Sequence, residues 1–254
     1  MKKLIIFDLD GTLALSKSAM DSEMALLLVG LLKADKMVAI ISGGKYAQFQ
    51  KQILPVMAKV GVGENLKNLF LFPTCGAAFY RFDNKNWNQV YAENLLFHEK
   101  NKIKDAFSVV FSKLNYIHPE KVYGEILEDR GTQMTFSALG QSAPLELKEI
   151  WDPDSAKRLK IITALAPILR EFDLAVGGTT SIDVLHKGIN KAYGIKKMEE
   201  HLGVFKSEML FMGDKVFPGG NDYPAKEAGV ECILVANPEE TKKQIARILE
   251  EPLL

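Results

Sequence analysis

Leu4-Ile5-Ile6-Phe7-Asp8-Leu9-Asp10-Gly11-Thr12 opens the chain with four consecutive apolar residues and then a turn bearing two carboxylates. An apolar run without polar alternation suits a strand buried on both faces of a parallel sheet. Asp, Gly and Thr favour turns, so the strand should end at Asp8. Further along, 37–41 reads as a second short strand closing at Ser42-Gly43-Gly44, followed by a helix over 46–60. A third apolar run covers 69–72, and a helix from about Asp21 separates the first two strands. Strand and helix alternate, which predicts a parallel α/β sheet.

The pattern then changes. Residues 77–81 and 87–91 read as hairpin arms around Asp83-Asn84-Lys85-Asn86. A helix over 98–114, strands over 123–128 and 133–139, a helix to 170 capped by Asp154, and strands over 174–176 and 181–185 follow. Alternation resumes with a helix over 190–201, a strand over 209–212, the loop 213–222, a strand over 232–235 and a last helix from 239. The expected architecture is a parallel-sheet core from 1–81 and 187–254, with an α+β domain of 82–186 inserted in it.

Composition bounds the function. Apolar residues make up 47% and charged residues 25% of the 254, as in ordinary globular proteins. Lys plus Arg equals Asp plus Glu at 32 each, so no global charge draws the chain to nucleic acid or an anionic membrane. The apolar run behind Lys2-Lys3 is too short for a signal peptide. No stretch approaches the roughly 18–20 apolar residues of a membrane span. The two cysteines, Cys75 and Cys232, have no metal-ligand spacing and are expected as thiols in a cytoplasmic protein.

In open parallel sheets, ligands gather beyond the carboxyl ends of the strands. Four segments there carry chemistry: Asp8 and Asp10, then Ser42, then Lys191 at a helix start, then Asp214 and Asp222 around one loop. Each alone has an ordinary reading, Lys191 as an exposed helix lysine and Ser42-Gly43-Gly44 as a turn. Their order together is more specific. Asp8-Leu9-Asp10-Gly11-Thr12 resembles the DxDGT signature of the haloacid dehalogenase superfamily, and Ser42, Lys191 and Gly213-Asp214 sit where that superfamily has its other motifs.

The resemblance implies a Rossmann-like core with an inserted cap domain for substrate specificity. It also implies a phosphotransferase in which Asp8 attacks phosphorus as nucleophile and Asp10 serves as acid and base. Ser42, Gly43 and Lys191 would hold phosphoryl oxygens. Mg²⁺ would be bound by Asp8, the Asp10 carbonyl and Asp214, supported by Asn221 or Asp222, because hard oxygen ligands suit that ion.

A narrower likeness is carried by Gly213-Asp214-Lys215-Val216-Phe217-Pro218-Gly219-Gly220-Asn221-Asp222 and by Ser181-Ile182-Asp183-Val184 with Gly188-Ile189-Asn190-Lys191. Both are similar to stretches of eukaryotic-type phosphomannomutases. That family implies sugar contacts from Ser181 and Asp183, and a distal-phosphate grip from basic cap residues. Arg130 aligns with one such arginine, but Gln141 and Lys148 fall at the next two, and Lys17 replaces an arginine near the nucleophile. Thr74-Cys75-Gly76 replaces Glu-Asn-Gly. Lys and Gln lack the bidentate guanidinium fork; Arg158 and Lys157 are the candidate substitutes. The family reading is interconversion of mannose 1- and 6-phosphates, with a hexose 1,6-bisphosphate activator and a homodimer. Weakened distal binding would leave a sugar-phosphate phosphatase, and loss of chemistry a sugar-phosphate-binding regulator.

Overall fold

The N-terminal apolar run forms β1 (Leu4–Asp8), buried along its whole length. The computed structural model describes residues 2–250. Side chains alternate across a strand, so Ile5 and Phe7 enter one core and Leu4 and Ile6 another. Burying each such side chain contributes about 1.5–3 kcal/mol. After β1 come α1 (Ser22–Lys33), β2 (Met37–Ile41), α2 (Tyr46–Gln52), α3 (Leu54–Lys59), β3 (Leu69–Phe72), β4 (Ala78–Asp83) and β5 (Asn86–Ala92).

The chain then builds a second unit, Glu93–Gly188. It holds α4 (Phe97–Lys113), β6 (Leu127–Asp129), β7 (Gln133–Ser137), α5 (Leu145–Trp151), α6 (Ala156–Leu165), β8 (Phe172–Gly177) and β9 (Ser181–His186). From Ile189 the chain rejoins the first unit with α7 (Lys191–Leu202), β10 (Met209–Gly213), α8 (Tyr223–Glu227), β11 (Glu231–Leu234) and α9 (Pro238–Glu250).

The first unit's sheet runs β11-β10-β1-β2-β3-β4-β5. Pairings from β11 through β3 are parallel, and β4 and β5 add antiparallel. One core packs the sheet on α1, α2, α3 and α9, the other on α7 and α8. α1 forms because Asp21 caps it, its carboxylate accepting from Met24 N at 2.8 Å, and because Met24, Leu28, Leu31 and Leu32 fall on one buried stripe. The expected helix over 46–60 is instead α2 and α3, broken at Ile53. Pro55 lacks the N–H that would continue the ladder.

The second unit's sheet is antiparallel, in the order β6-β7-β9-β8. Met134, Phe136, Ile182 and Val184 pack against α4 and α6. The alternate residues Gln133, Thr135, Ser137, Ser181 and Asp183 make the other face polar. The strand expected over 123–128 shortens to Leu127–Asp129, and α5 forms where no helix was expected. Asp154 does accept from Ala156 N at 3.1 Å, but the α6 N-cap position is Ser155.

The expected boundaries at 81/82 and 186/187 shift to Ala92/Glu93 and Gly188/Ile189. The reason is the hairpin. Phe70 pairs with Arg81 and Leu71 with Tyr80, which ties β4, and β5 with it, to the first sheet. Tyr46, at the start of α2, stacks on Tyr80 of β4 at 3.9 Å between centroids.

Arg158 is not available as a phosphate ligand. It is 2% exposed and bonds Asp152 Oδ2 (2.8 Å), Ser155 Oγ (2.8 Å) and the carbonyls of Asp152 (3.0 Å) and Gly178 (2.9 Å). Lys157 donates to the Trp151 carbonyl at 2.5 Å. Replacing Arg158 by Met strands the buried Asp152 carboxylate. We expect a loss of about 3–5 kcal/mol in urea unfolding, the scale for breaking a buried ion pair; an unchanged midpoint would contradict this role.

Candidate active site

Asp8 closes β1, Asp214 follows the last residue of β10, and Asp222 immediately precedes α8. All three therefore stand at carboxyl ends of the parallel sheet, where the chain must leave the strand layer. Lys191 begins α7. The side chain of Asn190 caps that helix, accepting from Ala192 N (2.9 Å) and Tyr193 N (3.2 Å). The Lys191 ammonium is fully buried and hydrogen-bonds the carboxylates of both Asp8 and Asp222. An exposed helix lysine is thus not what the structure contains. Asp222 also accepts from Lys215 N at 2.9 Å, which folds the 213–222 loop back on itself.

Carboxylate oxygens of Asp8, Asp214 and Asp222 lie within 4.8 Å of one another. Three carboxylates face the Lys191 ammonium, and Lys215 Nζ lies 3.8 Å from Asp214 Oδ2, so acidic groups outnumber basic ones. Burial pushes the Asp8 carboxyl up to about 7; Lys191 opposes this, and Asp222 and Asp214 reinforce it. Burial alone would lower Lys191, but Asp8 and Asp222 hold it above the usual lysine range. Asp214 is raised chiefly by burial, with Lys215 opposing. Asp214 Oδ1 is buried with no hydrogen-bond partner. A buried carboxylate oxygen without a hydrogen-bond partner, in an all-oxygen set where carboxylates outnumber ammonium groups, fits a hard divalent cation. Gly11 sits at φ 90°, and a Cβ there would lie 2.6 Å from Asp214 Oδ2. The close approach of the first loop to Asp214 therefore requires glycine.

The other expected residues divide. Ser42 is buried, its Oγ accepting from Gly44 N at 3.0 Å, and Gly43 follows it in the same turn, where an added Cβ would lie 3.9 Å from Cys75 Sγ. The Asp10 carboxylate stands apart from the three-carboxylate cluster. It accepts from Lys17 N (2.7 Å), Gln48 Nε2 (2.6 Å) and Gln52 Nε2 (3.3 Å). Lys17 has an exposed side chain and φ 57°, and it meets the first loop through its backbone N–H. Asn221 is exposed, whereas Asp222 is wholly buried.

In the second unit, Arg130, Gln141 and Lys148 come together. Arg130 Nη2 donates to Gln141 Oε1 at 3.2 Å, and Lys148 Nζ to the Gln141 carbonyl at 2.8 Å. Glu128 pairs with Arg130 at 2.7 Å. Asp183 accepts from Thr135 Oγ1 (2.7 Å) and Gln133 Nε2 (3.1 Å), while Ser181 lies opposite Ser137 in the sheet register.

Sequence reasoning missed Gln48, Gln52, Glu128, Gln133 and Thr135. The two α2 glutamines are four residues apart just after the Ser42 turn, which places them on one helix face. That spacing was the available signal. Gln133 and Thr135 share the strand parity that faces Asp183.

The chain is similar to known proteins over most of its length. A family model described as eukaryotic phosphomannomutase matches residues 27–251. The phosphomannomutase of Encephalitozoon cuniculi is 26% identical over 258 residues, covering 98% of this chain and 94% of that protein. Among solved structures, an N-terminally truncated, IMP-bound Plasmodium falciparum IMP-nucleotidase superposes with TM-score 0.71 at 17% identity, over 98% of this chain and 68% of its own. A haloacid dehalogenase-like hydrolase from Bacteroides thetaiotaomicron gives TM-score 0.64 at 16% identity, over 98% and 100%. These likenesses give the fold as haloacid dehalogenase-like, a parallel-sheet α/β core with an inserted α+β unit. No helix among the described residues is long and apolar enough to cross a membrane.

The raised Asp8 pKa has a sign that can be measured. Between the ordinary carboxylate range and about 7, the folded protein keeps a proton that the unfolded chain has released. Stability of the metal-free protein should therefore fall as pH rises through that window. A divalent cation competes with the proton, so its increase in Tm should be larger at pH 8 than at pH 5.5 and should shrink in Asp214→Asn. An equal increase at both pH values would refute this linkage.

Proposed function

The chain belongs to the eukaryotic phosphomannomutase family, and on that premise we propose that it is a Mg²⁺-dependent phosphotransferase that interconverts hexose 1- and 6-phosphates through a phosphorylated Asp8. The observation that carries the proposal is the buried cluster of Asp8, Lys191, Asp214 and Asp222 at the carboxyl ends of the sheet. Hexose 1,6-bisphosphate as activator, a homodimer, and the cytoplasm as compartment are part of the same proposal.

Asp8 attacks phosphorus, and the bond to the sugar oxygen breaks with its electron pair leaving on that oxygen. Asp10 gives the departing oxygen its proton and later takes one from the hydroxyl that receives the phosphoryl group. Lys191 lies against Asp8, where it offsets charge on the transferred group. Ser42 and Gly43 offer a hydroxyl and a backbone N–H to phosphoryl oxygens. Asp8, Asp214 and Asp222 would hold Mg²⁺, with the Asp10 carbonyl and Asn221 as further oxygen donors; the ion supplies charge neutralisation when bound. The second unit serves substrate specificity in this reading. Arg130, Gln141 and Lys148 take the distal phosphate, Ser181 and Asp183 the sugar hydroxyls, and Lys17 the phosphate near the nucleophile.

One observation favours a second reading, hydrolysis of sugar monophosphates. Of the two side chains that accompany Arg130, Gln141 carries no charge, and Glu128 offsets the guanidinium. A weaker grip on the distal phosphate would let the dephosphorylated sugar leave, and water instead of a sugar hydroxyl would displace Asp8 from phosphorus.

Three measurements test the proposal. Mannose 1-phosphate is incubated with Mg²⁺ and a catalytic amount of hexose 1,6-bisphosphate, following mannose 6-phosphate and free phosphate together. Formation of 6-phosphate ahead of free phosphate is expected; free phosphate alone would select the hydrolase. Asp8→Asn should abolish either activity while leaving the circular dichroism unchanged, and wild-type turnover would discard the mechanism. Arg130→Ala should raise KM for the sugar phosphate at least tenfold more than KM for a small aryl phosphate.

A further inference from the structure

Two glutamines on one face of α2 close around the carboxylate of Asp10. Gln48 Nε2 lies 2.6 Å from Asp10 Oδ2, and Gln52 Nε2 lies 3.3 Å from Oδ1. The backbone N–H of Lys17 reaches the same Oδ1 at 2.7 Å. We propose that Gln48, with Gln52 behind it, is the positioning residue that fixes the Asp10 carboxylate for proton transfer to the leaving oxygen. This rests on the reading of Asp10 as acid and base.

The surroundings separate this contact from a chance surface hydrogen bond. Gln52 is 3% exposed and is itself anchored, its side-chain Nε2 donating to Ser18 O at 2.6 Å and its backbone carbonyl accepting from Met20 N at 2.9 Å. The segment after the first loop is thereby tied to α2. Gln48 is held differently. A Cβ on Gly44 would lie 1.8 Å from Gln48 Oε1, so the turn after β2 leaves room for the Gln48 amide only because residue 44 has no side chain. The Ser42-Gly43-Gly44 turn thus serves two ends. Ser42 closes the turn from within, and Gly44 lets the first turn of α2 lean toward Asp10.

The chemistry makes an amide suitable. A primary amide offers both N–H donors and a carbonyl acceptor. Its N–H can donate to one Asp10 oxygen both when Asp10 is a carboxylate and when it is a carboxylic acid, leaving the acid's single proton on the other oxygen free for the leaving group. The side chain can therefore be held through both halves of the reaction without a change of charge. In the first half the bond from phosphorus to the leaving oxygen breaks, that oxygen takes the Asp10 proton, and an Asp8 oxygen bonds to phosphorus. In the second half the acceptor hydroxyl returns a proton to Asp10 as its oxygen displaces Asp8 from phosphorus. Positioned acids of this type contribute about 10²–10⁴-fold to rate, and small displacements forfeit much of it.

Leaving-group dependence provides the test. A sugar alkoxide needs a proton to depart, whereas p-nitrophenolate does not, and kcat/KM reports the steps through phosphorylation of Asp8. For Gln48→Ala with Mg²⁺, kcat/KM on a hexose phosphate should fall about ten- to a hundredfold further than on p-nitrophenyl phosphate. Gln48→Glu keeps the volume but cannot donate to an ionised Asp10, so it should show the same selective loss if the alanine variant folds poorly. Equal losses on both substrates, or none, would overturn the positioning role. Absence of any Asp8-dependent turnover in the wild-type protein would instead overturn the phosphotransferase reading on which it rests.

Discussion

The ammonium of Lys191 lies between the carboxylates of Asp8 and Asp222, all three closed off from solvent. Bringing charges out of water costs several kcal/mol per ion, which mutual attraction recovers only with good geometry. The arrangement forces three separate chain segments together: the end of β1, the start of α7 and the loop before α8. Asp214 then adds a further carboxylate beside them. A fold selected for stability alone would not gather three carboxylates around one cation. The excess negative charge is a cost that the apolar packing on both faces of the sheet has to offset, and it is recovered when a cation binds.

The legible part of this design lies in short-range patterns. Leu4 to Phe7 announces a buried strand, and Asp8, Ser42, Lys191 and Asp214 follow from their places at strand ends. What was hidden depends on partners distant in sequence. The burial of Lys191 cannot be read from Gly188-Ile189-Asn190-Lys191, because Asp8 and Asp222 create it. The hairpin of β4 and β5 looked like the start of the insert, since antiparallel arms break the alternation. Only its register with β3 reveals that it extends the first sheet. Pro55, by contrast, was a visible reason to divide the 46–60 helix and was passed over. Gln48 and Gln52 carried a helical spacing but no chemistry of their own until Asp10 was seen against them.

The second unit shows how one strand pattern supplies both an apolar core and an ordered polar face. In β7 and β9, one parity is apolar and packs on helices, and the other is Gln133, Thr135, Ser137, Ser181 and Asp183. Hydrogen bonds from Thr135 and Gln133 fix the Asp183 carboxylate. Such a face is preorganised, because its polar groups are oriented before any ligand arrives. The Glu128–Arg130 pair does the same for a guanidinium, at the expense of some of its charge.

The order of elements along the chain has a consequence for synthesis. In the finished sheet β1 lies between β2 and β10, and Lys191 stands 183 positions after Asp8. While the polypeptide is emerging, β1 finds β2 early but has no neighbour on its other side until the last quarter of the molecule has been made. For that interval it is an apolar edge strand, the kind of surface that recruits stray strands from other chains. Residues 93–188 have a core of their own and can condense in the meantime. The guest therefore matures before its host, and the segment made after it both seals the sheet and brings the Lys191 ammonium to Asp8. A chain cut before α7 thus lacks the Asp8–Lys191–Asp222 cluster by topology alone.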